Sequence, residues 1–167
     1  MVIRRPDLGA EAAAGQPVLI AANEAEGDEV MLAIWDDGSV TALHGHVDLG
    51  TGLRTALTQI VAEELDVQPE SIELIMGNTA SVPNQGATIA SASIQFHSQT
   101  LRAAAAQARA CLVERAANLL GLHQASLTVD SGYVSCRDAA DMGMHYGEIV
   151  AGARSELHLD EGFPTKS

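Results

Sequence analysis

Aromatic residues are scarce in this chain: two Phe, two Tyr and one Trp, 3% of 167 residues. The core must therefore be built from Ala, Leu, Ile and Val, and the stacking faces that many base- and sugar-binding sites use are missing. Positive charge is scarce too. Nine Lys and Arg stand against 22 Asp and Glu, a net charge of −13. Nucleic-acid binding is dominated by phosphate neutralisation, and an anionic membrane surface attracts basic clusters, so the charge argues against both partners. Cysteine is limited to Cys111 and Cys136. They are far apart, without metal-ligand spacing or a disulfide framework, and read as inert thiols of a reducing cytoplasm. No apolar run reaches the length of a membrane-spanning helix. Arg4-Arg5 is followed by Pro6-Asp7 and an Ala/Gly/Glu stretch, not by the apolar segment of an export signal. These absences point to an acidic cytoplasmic protein. Its apolar fraction of 47% suffices for one core of ordinary domain size.

Local patterns divide the chain. Residues 1–28, broken by Pro6, Gly9, Gly15, Pro17 and Gly27, read as an irregular N-terminal arm, with a possible short strand at 18–21. Residues 30–35 and 39–46 are rich in β-branched and apolar residues, and Asp36-Asp37-Gly38-Ser39 between them is a hairpin turn signal. Val47-Asp48-Leu49-Gly50-Thr51-Gly52-Leu53 then marks a strand-to-helix junction. From Leu53, apolar residues recur at helical spacing to Leu65, and Pro69 closes the segment. Residues 71–76 form a further strand. A long polar loop, 77 to about 88, precedes an Ala-rich helix from about 89 to 120, which Gly121 ends. Two short strands about a Gly turn over 126–135, a short helix over 145–153 and an irregular tail from 156 complete the pattern. The whole implies one α+β domain, residues 29–155: a small mixed sheet against two main helices, with arms 1–28 and 156–167.

Few side-chain constellations carry chemistry by themselves. His44 and His46 lie two apart on a strand, on one face, and with Asp48 form His-x-His-x-Asp. That spacing alone does not define a metal site, and no third ligand group stands out. Glu63-Glu64 could offer a base, but adjacent helix positions do not face each other; a solvated face with one residue packing inward is the simpler reading. His97, Ser93 and Ser98 lack a Gly-x-Ser-x-Gly elbow and an acid partner. Gly50-Thr51-Gly52 satisfies neither dinucleotide nor nucleotide glycine fingerprints. It does place unpaired amides at a helix start, suited to a polar or anionic ligand.

The order of these segments carries more. The run from His46 through Gly50-Thr51-Gly52-Leu53-Arg54-Thr55-Ala56 to Ala62-Glu63-Glu64-Leu65 resembles the molybdenum-binding subunit of the xanthine dehydrogenase/aldehyde oxidase family. There a Glu-x-Gly-Gln-Gly turn opens a helix ending in Ala-Glu-Glu-Leu. Gly77-Asn78-Thr79 through Val82-Pro83-Asn84-Gln85-Gly86, followed by Ala90-Ser91-Ala92-Ser93, is similar to the family's next segment. Leu101-Arg102-Ala103-Ala104-Ala105 and Tyr146-Gly147-Glu148-Ile149 resemble its isoquinoline 1-oxidoreductase and nicotinate dehydrogenase branch. The resemblance covers residues 30–155. It implies hydroxylation of N-heteroaromatic rings or aldehydes with oxygen from water. It also implies a molybdopterin cytosine dinucleotide cofactor with molybdenum, and iron–sulfur and flavin or haem (cytochrome) partner subunits. The implied cofactor-binding residues are Gly50, Thr51, Gly52, Gln85 and Gly86.

Two departures qualify this. Thr51 stands where the family has a Gln that hydrogen-bonds an oxo or pterin group, leaving a shorter hydroxyl and the backbone amides. Family subunits also run to several hundred residues, with the general-base Glu in a C-terminal part that has no counterpart here. The expectation is a split or partial subunit, active only with the remaining molybdenum-subunit polypeptide. The alternative is a non-catalytic scaffold domain that keeps the fold without the cofactor.

Overall fold

The computed structural model describes residues 19–23, 29–152 and 155–167. Most of the N-terminal arm thus lies outside the described residues, as do the acidic positions 24–28. Among the described residues, eight strands and three α-helices follow in order. They are β1 (Leu19–Asn23), β2 (Glu29–Ile34), β3 (Val40–His44), α1 (Leu53–Leu65), β4 (Ile72–Met76), α2 (Ser98–Leu120), β5 (Leu127–Asp130), β6 (Tyr133–Cys136), β7 (Ala139–His145), α3 (Tyr146–Val150) and β8 (Ser155–His158).

A mixed five-stranded sheet has the order β4-β3-β2-β1-β8. The β2–β3 hairpin closes at the expected turn: Trp35 N–H donates to the Ser39 carbonyl at 2.9 Å, and Gly38 sits at φ 81°. Strands β3 and β4 are parallel, so their connection must cross over, and α1 supplies that crossover. The second sheet, β5-β6-β7, is antiparallel.

Helix α1 has the bounds its pattern implies. Leu53, Leu57, Val61 and Leu65, four apart, are buried along one stripe. Asp66 turns into the left-handed region at φ 54°, and Val67 N–H returns to the Ala62 carbonyl at 3.1 Å. Glu64 is the member of the acidic pair that packs inward: it accepts from Arg102 Nε at 2.7 Å and from the Lys166 amide at 3.1 Å. Helix α2 buries Leu101, Ala104, Ala105, Ala108, Leu112 and Ala116, and the short Ala side chains let it lie close against α1 and the sheet. It ends as expected at Gly121, φ 67°, with Leu122 N–H on the Ala117 carbonyl at 2.9 Å.

Four features differ from the sequence pattern. The helical region begins later than residue 89: residues 89–92 form a turn in which Ala90 and Ser91 both lie at φ 54°, and a π-helical turn, Ser93–His97, leads into α2. Strand β7 has no counterpart in the expectation. Its length depends on pairing with β6, where Gly143 packs so tightly that a Cβ would overlap the Val134 carbonyl. Ser155–His158, read as the end of the domain and the start of an irregular tail, is a strand, because β1 offers it a parallel edge. The last helix is also shorter than 145–153. It starts at Tyr146, whose hydroxyl donates to the Leu65 carbonyl at 2.8 Å in the core.

Candidate functional site

Strand β3 carries the chain to the glycine junction with every residue buried. Beyond it, Asp48 organises the corner. Its Oδ1 accepts from the amides of Gly50 and Thr51, both at 2.9 Å, and its Oδ2 from the Arg54 amide at 3.0 Å. The Arg54 amide foremost, with those of Thr51, Gly50 and Gly52, holds the Asp48 carboxyl below the usual carboxylate range. Two of the amides that the sequence offered to a ligand, those of Gly50 and Thr51, are therefore already bonded. An aspartate two and three residues before the donors is the Asx-turn arrangement, and that signal was present in the sequence. Gly50 and Gly52 adopt φ 87° and 77°, which only glycine takes without cost. Among the described residues nothing lies within 4 Å of a Cβ built on either, so the corner presents bare backbone.

A groove of about 370 Å³ lies between this corner and the turn at 88–94. Thr51, Gly52, Leu53 and Ala56 form one wall, and Thr88, Ile89, Ala90, Ser91, Ser93 and Ile94 the other. Among the described residues its polar lining consists of hydroxyls and backbone, and no lining side chain is charged. Of the five candidate residues, the structure brings Thr51 and Gly52 to the groove, with Gly50 beside them. Gln85 faces inward: its Oε1 accepts from the Gly45 amide at 2.7 Å, and its carbonyl accepts from His46 Nε2 at 3.1 Å. Gly86, φ 79°, follows it with open space before it. Gln85 thus ties the 77–88 loop to the strand end behind the corner. Gly45 is required there, since a Cβ would overlap the Pro83 carbonyl.

Three histidines pack behind the groove. His46 and His97 ring centroids lie 4.2 Å apart and His44 and His46 5.2 Å apart. A carbonyl only accepts, so His46 Nε2–H is the donor to Gln85, and Nδ1 forms a hydrogen bond with the Ser93 hydroxyl at 2.9 Å. His44 is 0% exposed, and among the described residues neither ring nitrogen has a partner. Burial, then the neighbouring His46 and His97, lowers its pKa from 6.5 to about 4. It is a neutral core residue. Among the described residues no group of three or more His, Cys, Asp or Glu is arranged to hold a metal ion. The sequence pattern paired His46 with His44 and Asp48 but not with His97, because residues 51 positions apart meet only through the packing of β3 against the start of α2.

Cys111 is half-buried, and burial pushes its thiol up; Cys136 is likewise half-buried. No helix among the described residues is long and apolar enough to cross a membrane.

A glycine corner thus opens the crossover helix and faces the 88–94 turn across the groove. The molybdopterin cofactor-binding domain family matches residues 10–164, and the chain belongs to that family. It is 44% identical over 138 residues to a nicotinate dehydrogenase subunit of Pseudomonas putida, covering 83% of this chain and 12% of that protein. It is 32% identical over 143 residues to the beta subunit of isoquinoline 1-oxidoreductase from Brevundimonas diminuta, covering 81% of this chain and 18% of that one. The fold matches reconstituted CO dehydrogenase from Oligotropha carboxidovorans with TM-score 0.62 and 23% identity, over 78% of this chain and 17% of that chain. The chain therefore spans less than a fifth of the length of each.

Proposed function

We propose that this chain is part of the molybdenum-cofactor subunit of a molybdenum hydroxylase. The enzyme oxidises an N-heteroaromatic or aldehyde substrate with water-derived oxygen and works only in complex with other polypeptides. The observation that carries this reading is the family match across residues 10–164 together with 44% identity to a nicotinate dehydrogenase subunit. The cofactor in this reading is molybdopterin cytosine dinucleotide with molybdenum, shared with the remaining molybdenum-subunit polypeptide. Iron–sulfur and flavin or haem subunits carry the electrons away, and the complex is cytoplasmic.

The residues fit such a group in one respect. Gly52 and Thr51 border an open groove, and the absence of a Cβ at Gly52 lets a flat polar ligand approach the backbone. When bound, the molybdenum centre would supply the two-electron oxidation. This chain's residues would position the cofactor: the Thr51 hydroxyl and the backbone of Gly50 and Gly52 from one wall, and the Gln85–Gly86 segment from behind the corner. The Asp48 carboxylate fixes the corner's shape. Thr51 Oγ1 lies 3.4 Å from it, a distance long enough to leave the hydroxyl available to a ligand.

One observation favours a second reading, a scaffold domain without cofactor contact. The Gly50 and Thr51 amides already have a partner in Asp48. Purification of the complex from its native host with molybdenum analysis tests the first reading, which fails if the chain is always isolated alone and metal-free. In the complex, Gly52→Val forces a β-branched residue to φ 77° and should abolish hydroxylase activity. Unchanged activity would assign the corner a purely structural role.

A further inference from the structure

A hydroxyl of the groove wall is held from behind by a buried imidazole. Ser93 lines the groove, and its Oγ lies 2.9 Å from Nδ1 of His46, 47 positions earlier in the chain. His46 is 0% exposed, and its other ring nitrogen, Nε2, donates to the Gln85 carbonyl at 3.1 Å. The ring is thus pinned between the 77–88 loop and the π-helical turn. Thr88, on the same wall, is set differently. Its Oγ1 accepts from the Val47 amide at 3.1 Å, which leaves the threonine proton for another partner.

The sense of the Ser93 bond follows from the charge on His46. The Gln85 carbonyl only accepts, so Nε2 carries a proton in both charge states. A neutral ring then has a lone pair at Nδ1, and the Ser93 hydroxyl gives its proton to it. What remains on Ser93 is a pair of oxygen lone pairs, an acceptor. A protonated ring carries hydrogen at Nδ1 as well and donates to Ser93 Oγ. The serine proton is then freed, and Ser93 becomes a donor. Neither state requires the ring to move, since Nε2–H stays on Gln85. Imidazole is the side chain that changes charge between about pH 5 and 8. The ionisable groups about this ring are His97 on the π-helical turn and His44 on β3, with centroids 4.2 and 5.2 Å away. Farther along the chain, the Asp48 carboxylate is bonded to amides and the Arg54 guanidinium to the Leu74 carbonyl. Residues 77–88 contain no ionisable side chain.

We infer that His46 is a positioning residue of the groove: neutral, it presents Ser93 as a hydrogen-bond acceptor to the pterin of the bound cofactor, and protonated, it turns Ser93 into a donor. The assignment rests on the function proposed above and adds to it the residue that sets the polarity of the cofactor's seat. With His46 neutral, Ser93 accepts from a pterin N–H. With His46 charged, two donors face each other and the cofactor is held less tightly.

Two measurements test it. In the isotope-labelled full chain, NMR shifts of the imidazole nitrogens read the protonation of His46 directly, without cofactor. At about pH 8 Nδ1 should be bare and Nε2 protonated, and both should carry protons as pH falls through the histidine range. A proton on Nδ1 at about pH 8, or a ring that stays neutral down to about pH 5, overturns the inference. In the complex purified from the native host, tagged wild type, Ser93→Ala and His46→Asn are compared for the rate of cofactor release. Release is read as molybdenum and as the fluorescent oxidation product of the pterin. Asn keeps an uncharged hydrogen-bonding group beside Ser93 and cannot change charge. Wild type should release cofactor about tenfold faster at about pH 5.5 than at about pH 8, and both variants should change by less than about twofold. Ser93→Ala retains the titrating ring, so a pH step that survives in it comes from charge alone and overturns the inference. A step that survives in His46→Asn belongs to another group and overturns it too, as does a wild type without a step. Circular dichroism and urea midpoints establish that the variants are folded; should His46→Asn fail to fold, Ser93→Ala decides. A complex that holds no molybdenum at any pH overturns the proposed function. The nitrogen shifts, which need no cofactor, separate that failure from a failure of the Ser93–His46 pair.

Discussion

His44 provides a quantitative test of the core. It is wholly buried, neutral, without a hydrogen-bond partner among the described residues, and its pKa is lowered from 6.5 to about 4. The unfolded chain therefore binds a proton that the folded chain refuses between those two values. Stability from this residue is fully present above pH 6.5 and is lost as pH falls, until the loss levels off near pH 4. A shift of this size is worth about 3 kcal/mol in full, and about 2 kcal/mol of it is lost between pH 7 and pH 5. His44→Leu removes the titrating group and the two unpaired nitrogens together. The variant should match or exceed wild-type stability at pH 7, since an unpaired buried polar group costs about 1–3 kcal/mol. Urea unfolding followed by circular dichroism at pH 7, 6 and 5 should show wild type falling about 2 kcal/mol further than His44→Leu over that range. Carboxylates common to both proteins cancel in the difference. Parallel pH dependences would refute the reasoning and mean that His44 is reached by water or is paired in solution.

Other perturbations bear on the corner and the tail. Gly45→Ala drives a Cβ into the Pro83 carbonyl and should cost about 1–3 kcal/mol in urea unfolding, despite the mildness of the change. Glu64→Ala leaves Arg102 without its buried carboxylate partner and should cost about 2 kcal/mol, at the modest end because the Arg102 side chain is 31% exposed and can rehydrate. Limited proteolysis of that variant should cut faster within residues 159–167, because the Lys166 amide loses Glu64 and only its Nζ bonds to the Glu63 carbonyl and the Asp66 carboxylate still tie it to the end of α1. Asp48→Ala should accelerate hydrogen exchange at the Gly50, Thr51 and Arg54 amides, measured by NMR, without affecting exchange in α2.

Local chemistry decides which elements are legible in the sequence. The bounds of α1 are legible because Gly52 and Pro69 punctuate an uninterrupted helical stripe. The β2–β3 hairpin is legible because Asp36-Asp37-Gly38-Ser39 leaves the chain few alternatives. Strands β7 and β8 are not, since Ala-Ala-Asp-Met-Gly-Met-His has no alternation and each strand is specified by the edge it pairs with. The groove is half legible. Glycine at 50 and 52 announces an exposed corner, but the fate of its amides depends on Asp48, whose place in His-x-His-x-Asp draws attention to metal ligation instead. Gln85 points toward Gly45 and His46 because the 77–88 loop folds back on the strand end, a contact across forty residues that no local pattern encodes.

The attachment of Lys166 to Glu64 has a consequence for how the protein is made. The two residues are 102 apart in sequence, and closing so long a loop costs about 4 kcal/mol of chain entropy in addition to a constant term. Synthesis proceeds at roughly 5–20 residues per second, so α1 leaves the ribosome many seconds before its latch exists. In that interval Glu64 can be satisfied only once Arg102 arrives. The order of synthesis is therefore β1 to β4 with α1 first, α2 bringing Arg102 next, and edge strand β8 with the strap at residue 166 last.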